Sequence, residues 1–270
     1  MLLTISITGP DGAEKARVQG EGAVTLVYSA PYQEGDAIRL ESDGAGYVTA
    51  LLEDSMAPAF GWLAGDYRLE VPFGEKRVSY SPKSFTGPVH LLWARAAAPA
   101  EVAARKNLCL NPLDSHGNTG LFPHAWANVE TRGESVFAAR NAIDGCRASA
   151  GHGPWPYQSW GINRDPDAAL TVDFGRDVTV DELVFTLRAD FPHDNWWVTA
   201  AVTFSDGTEL HPRFVKTGEP QSFPIPPRTV RWLRVDRLIP DPGDPSPFPA
   251  LTQLEAWGVE AQTDRQEASL

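Results

Sequence analysis

Cysteine is nearly absent from this 270-residue chain: only Cys109 and Cys146 occur, with no CxxC pair and no zinc spacing. A disulfide framework or a cysteine-based zinc site is therefore not expected. No stretch approaches the roughly 18 apolar residues of a membrane span. Met1 to Ile7 lack a basic region followed by a long apolar one, so the expected compartment is the cytoplasm. Positive charge is also short, with 23 basic against 35 acidic side chains and a formal net charge of -12. The deficit holds in both parts, 8 basic against 12 acidic over residues 1 to 100 and 15 against 23 beyond. A phosphate backbone or an anionic bilayer would be repelled throughout, which argues against nucleic acid and membrane as partners. There is no GxSxG elbow, no glycine-rich phosphate loop and no cysteine in a catalytic setting.

What is present is enough apolar material for real cores, 42% hydrophobic residues with nine Trp. The length suits two modest domains. Short strands are predicted at Leu2 to Thr8, Ala23 to Ser29, Ala37 to Ser42, Tyr47 to Glu53, Tyr67 to Phe73 and Val89 to Ala94. Gly and Pro turns separate them, the pattern of a small antiparallel sandwich over residues 1–97. The Ala-rich stretch at 98–105 reads as a helical or extended connector. Beyond it the strands are Ala169 to Phe174, Leu183 to Arg188, Val198 to Phe204, Glu209 to Lys216, Thr229 to Asp236 and Gln253 to Gly258. One short helical candidate spans Ser135 to Ile143, Ser205-Asp206-Gly207 is a strong hairpin turn, and 261–270 is a polar tail. The fold class is all-β, with two β-sandwich domains.

Six pieces of the second half stand in a recognisable order: Asn141-Ala-Ile-Asp144-Gly145, Trp160, Leu170-Thr-Val-Asp173-Phe-Gly175, Val202-Thr-Phe-Ser205-Asp206-Gly207, Arg231-Trp-Leu-Arg234-Val, and Leu254-Glu255-Ala-Trp257-Gly258. Together they resemble the discoidin domain, also called the coagulation factor 5/8 type C domain, and are similar to the family 32 carbohydrate-binding modules. The resemblance covers about 106–258, within a domain read as 106–260, and implies a galactose-binding-like jelly roll with its ligand site in the loops at one end. It also implies a structural calcium, for which the matching positions are Asp144, Ser149 and Glu255. Cys146-Arg147 depart from the pattern by placing a cation beside that loop. The plainer alternative is that Asp144 caps the turn and Glu255 pairs with an arginine such as Arg147.

Three segments concentrate side chains that a scaffold has little use for: His116 to Asn128, His152 to Asp165, and Arg188 to Trp197. Four of the six histidines lie in them. A pyranose stacks its C–H face on an aromatic ring while Arg, Asn, His and carboxylates take its hydroxyls. The candidate ligand residues are Trp155, Tyr157, Trp160, Asn163, Arg188, Asp190, His193, Asp194 and Trp196. Against this, any single loop Trp is more simply a plug in the open end of a sandwich. The reading is non-catalytic binding of a carbohydrate or small polyhydroxylated ligand. The alternative is a metal-assisted lyase or hydrolase using His116, His124, His152 and His193. A third reading makes the chain a structural subunit, its N-terminal sandwich docking a protein partner or a second copy.

Overall fold

Alternation of apolar and polar residues builds the first half. The computed structural model describes residues 1–151, 153, 155–189 and 195–261. Its strands are β1 (Leu2–Thr8), β2 (Glu14–Glu21), β3 (Ala23–Tyr28), β4 (Ala37–Ser42), β5 (Gly46–Leu51), β6 (Ala59–Leu63), β7 (Asp66–Glu70) and β8 (His90–Ala96). A one-turn helix, α1 (Pro99–Ala103), follows. Glu101 pins it by accepting two hydrogen bonds from Arg95, both at 2.7 Å, and one from the Ala98 N–H, also at 2.7 Å. The second half contains β9 (Lys106–Asn107), β10 (Leu121–Phe122), β11 (His124–Ala127), β12 (Trp160–Gly161), β13 (Leu170–Leu187), β14 (Trp197–Phe204), β15 (Glu209–Leu210), β16 (Gln221–Pro240) and β17 (Ala250–Glu260).

Two antiparallel sheets, ordered β2-β1-β4-β7 and β10-β6-β5-β8-β3, enclose a core that includes Leu3, Ile5, Ile38, Leu40, Val48 and Leu92. Its last strand, β10, arrives from beyond the connector. Leu121 and Phe122 pair with Leu63 and Trp62, and Leu113 and Leu121 lie in the first core. The Tyr67 hydroxyl donates to the Leu113 carbonyl. The chain therefore crosses between the two cores more than once, and the region past residue 106 also completes the first sandwich.

The second sheet system wraps on itself in the order β12-β17-β13-β16-β14-β15, with β9 on β17 and β11 on β13. The two strands expected at 169–174 and 183–188 are one continuous β13, bent by register shifts after Asp173 and after Val180. Its first part pairs with β11 and its second with β17, so one strand serves both layers of the sandwich. Trp160, Phe174, Phe185, Trp197 and Phe204 fill the space between the layers. The helical candidate becomes two 3-10 turns, Ser135–Phe137 and Ala139–Ile143. The strand expected to Lys216 stops at Leu210, because Pro212 has no N–H to continue the ladder. The polar tail from residue 262 lies outside the described residues.

The two sandwiches are joined by polar groups as well as by β10. Arg176 donates to both oxygens of Glu260, at 2.8 and 2.7 Å, and the pair is buried. Tyr47 of β5 donates to the same carboxylate at 3.1 Å, and the Lys106 ammonium stands 4.6 Å over the Phe60 ring.

Gly120 precedes β10, and a Cβ there would collide with the Asp66 carbonyl. Gly120→Ala should cost about 1 to 3 kcal/mol in chemical denaturation, the range for overpacking. Gly44→Ala, whose Cβ would meet open space, is the control and should melt as the parent does.

Candidate functional site

The ligand residues expected at the loop end fall into separate settings. Arg188 follows the last residue of β13, and its N–H donates to the Ala250 carbonyl at 3.0 Å. Its guanidinium carbon lies 4.2 Å from the Tyr157 ring centroid, and both residues are buried. Tyr157 in turn meets Phe137 edge-on at 5.9 Å. Trp196 is half-buried and donates its indole N–H to Asp241 at 3.2 Å, while the Asp241 N–H returns to the Trp196 carbonyl at 2.9 Å. Asp190, His193 and Asp194 lie outside the described residues.

Three of the expected residues are placed otherwise. Trp160 is sealed in the core, its ring 6.3 Å from that of Trp197 and its N–H on the Val129 carbonyl at 3.0 Å. Asn163 is exposed at a turn with φ of 50°, and its backbone N–H donates to Thr131 Oγ1 at 2.9 Å. Trp155, 38% exposed, borders a crevice between the two sandwiches together with Cys146 and Gln158.

The residues matched to calcium do not fit an ion. Calcium takes six to eight oxygens, whereas the half-buried Asp144 carboxylate accepts from the Cys146 N–H at 2.7 Å, Gln253 Nε2 at 2.8 Å and Gln158 Nε2 at 3.1 Å. Glu255 is paired with the Arg147 guanidinium and accepts from the Trp257 indole at 2.8 Å. Nitrogen donors and a fixed cation thus take the lone pairs that a metal would need. Ser149 Oγ is buried and has no hydrogen-bond partner among the described residues. Asp144 thus caps its own turn through the Cys146 N–H, and Arg147 places a positive charge on Glu255; calcium at these residues stays what the resemblance implies, and the chelator melt below tests it.

Of the four loop histidines, the two among the described residues have separate partners. His124 Nδ1 is 2.8 Å from Asp114; burial pulls the imidazole down, but the hydrogen bond and the charges of Asp114 and Asp173 together raise it above its ordinary value. His116 is exposed and lies 3.4 Å from Glu130. His152 and His193 lie outside the described residues. No group of three or more metal-binding side chains occurs among the described residues.

Two polar groups escaped the sequence reading. In the first sandwich Glu53 and His90 are each 1% exposed, with Oε2 and Nδ1 3.9 Å apart and neither hydrogen-bonded. Tyr32, whose hydroxyl is also unpartnered, lies with its ring 4.0 Å from His90. Ser55 donates to Glu53 at 3.0 Å and is 2.7 Å from Ser84. Burial raises Glu53 and lowers His90, so both favour their neutral forms. The second group is Arg140 with Tyr80, at the same crevice as Trp155. A lone arginine within the run Phe137-Ala-Ala-Arg140-Asn-Ala-Ile143 was the available signal.

No family model matches the chain, and no curated protein matches it in sequence. Solved structures similar to it include chitosan-binding module 1 of a chitosanase/glucanase from Paenibacillus sp. IK-5, at 19% identity over 57% of this chain and 99% of that one, with a TM-score of 0.38. The family 32 carbohydrate-binding module of C. perfringens NanJ, solved with galactose, is 18% identical over 49% of this chain and 91% of its own, with a TM-score of 0.38. The lectin domain of lectinolysin, solved with Lewis B antigen, is 16% identical over 58% and 98%, with a TM-score of 0.40.

Two measurements check this geometry. Thermal melts should coincide with and without a chelator, whereas Arg147→Ala, which strands the buried Glu255, should cost about 1 to 2 kcal/mol, discounted because Arg147 is half exposed. For Glu53, the folded protein keeps its proton to higher pH than the unfolded chain, so stability falls as pH rises from about 4.5 through the raised value. His90 acts in the opposite sense, costing stability as pH falls below its ordinary value of 6.5. Glu53→Gln should therefore flatten the decline in melting temperature as pH rises from about 4.5 and leave the profile below that pH unchanged. The same pH profile as the parent would show that Glu53 is not held neutral.

Proposed function

We propose that the second sandwich binds a carbohydrate, or another small polyhydroxylated ligand, at the end of the fold where Arg188 leaves β13. The observation that carries this reading is the Arg188 guanidinium fixed 4.2 Å over Tyr157 at a strand end whose backbone is bonded to Ala250. A planar fork held on a ring presents its donors in set directions, which suits vicinal hydroxyls or a sugar carboxylate. Trp196, oriented by its bond to Asp241, supplies an apolar face beside it in sequence. The reading is recognition without transformation.

A glycan panel screened with the intact chain, followed by calorimetry on any hit, tests this. Arg188→Lys keeps the charge and loses the fork, and should weaken binding at least tenfold, about 1.4 kcal/mol. Trp155→Ala, on the crevice, should leave loop-end binding unchanged. A panel without hits, or Arg188→Lys binding as the parent does, overturns the proposal.

A further inference from the structure

We propose that the crevice between the two sandwiches is a second ligand site, separate from the loop end of the second sandwich, and that it takes a neutral, hydroxyl-rich chain such as an oligosaccharide. Two cavities, of about 640 and about 190 Å³, share Ser79, Tyr80 and Arg140 in their walls and so adjoin along one crevice. The larger falls within the 300 to 1,000 Å³ typical of small-molecule sites. Its walls come from both sandwiches, and Ser135 ties them together by donating its N–H to Glu75 Oε1 at 2.6 Å and its hydroxyl to the Glu75 carbonyl at 2.7 Å.

The shared wall is built and incompletely satisfied. Arg140 is 7% exposed and its guanidinium lies 4.4 Å over the Tyr80 ring. Of its five N–H donors, three are used: Nε on the Asp114 carbonyl at 2.8 Å, Nη1 on Asn141 at 3.1 Å and Nη2 on the Pro112 carbonyl at 3.2 Å. Two remain without a partner among the described residues. Ser79 is 2% exposed, and its hydroxyl has no partner there either. Buried donors left unmade in a native protein call for an occupant that completes them.

Charge selects the occupant. The larger cavity is lined by Arg68, Lys76 and Arg140 against Glu70, Glu75 and Glu130, so the formal charges cancel. An anion meets three carboxylates in a chain of net charge -12, and a cation meets three basic groups. Alternating donors and acceptors without net charge match hydroxyl groups, each of which both gives and accepts. At the smaller cavity Trp155, 38% exposed, offers the flat face on which a sugar ring stacks.

The test uses the intact chain with cellohexaose, maltohexaose and xylohexaose, read by calorimetry and by hydrogen exchange. At saturation at least one should protect residues 74–81 and 133–140. Ser79→Ala and Trp155→Ala should each melt as the parent does and lose fivefold or more in affinity, while Arg188→Lys retains it. Absence of protection in both segments with all three sugars overturns the proposal, as does unchanged affinity in both crevice variants. Loss in Arg188→Lys alone would sink the crevice and leave the loop-end reading standing. Tighter binding of an anionic oligogalacturonate than of any neutral hexamer would overturn the assignment of ligand class.

Discussion

The bidentate pair of Arg176 and Glu260 is the constraint on which the arrangement of the two sandwiches depends. Both groups are buried, at 2.7 and 2.8 Å from each other, and neither could bear that burial alone. Their second duty is to the first sandwich, because Tyr47 donates to the same carboxylate and lies under the guanidinium at 5.6 Å. The pair sits at the bend of β13, where Gly175 has φ of 68° and where a Cβ would strike the Phe122 ring. Strand bending, closure of the first sheet by β10 and the ion pair are thus one junction. A side chain at Gly175 would push Phe122, and Phe122 carries the edge that pairs with Trp62.

Basic groups are few, and among the described residues Arg140, Arg176 and Arg188 are buried while Arg147 is half exposed. Arg140, Arg147, Arg176 and Arg188 each have a set place: on backbone carbonyls and Tyr80, on Glu255, on Glu260, and on Tyr157. Arg147 shows the consequence for chemistry. Its guanidinium, tethered to the chain, is paired with the buried Glu255 and so sets a positive charge beside the loop at Asp144. Glu53 and His90 illustrate the other outcome: two buried groups too far apart for a hydrogen bond, whose burial raises the carboxyl and lowers the imidazole.

Legibility in the sequence followed burial pattern. Strands with one buried face, such as Ala23–Tyr28 with its strict alternation, were read within a residue or two. Glu14–Glu21 was missed because its residues are exposed or half-buried along the whole edge strand, and Ala59–Leu63 because Gly61 interrupts it to admit the Phe122 carbonyl. Leu121–Phe122 is too short to carry any period. The placement of Arg188 at the end of an apolar strand was legible, but the facing of loop aromatics was not. Trp160 and Trp155 have the same neighbours in composition, yet one is sealed and the other is 38% exposed; only the path of the loop decides.

The two candidate sites differ in what they require of the fold. The loop end needs only the second sandwich, since Arg188, Tyr157 and Trp196 all rest on its own strands and loops. The crevice exists only while both sandwiches hold their relative position, because Glu75 and Tyr80 belong to one wall and Ser135 and Arg140 to the other. Its shape is therefore fixed by contacts outside it: Arg176 with Glu260 and Tyr47, and β10 on β6. In the proposed site the first sandwich supplies Glu75 and Tyr80 opposite the buried Arg140 of the second, and contacts that hold the two walls before a ligand arrives lower the entropy that binding must meet.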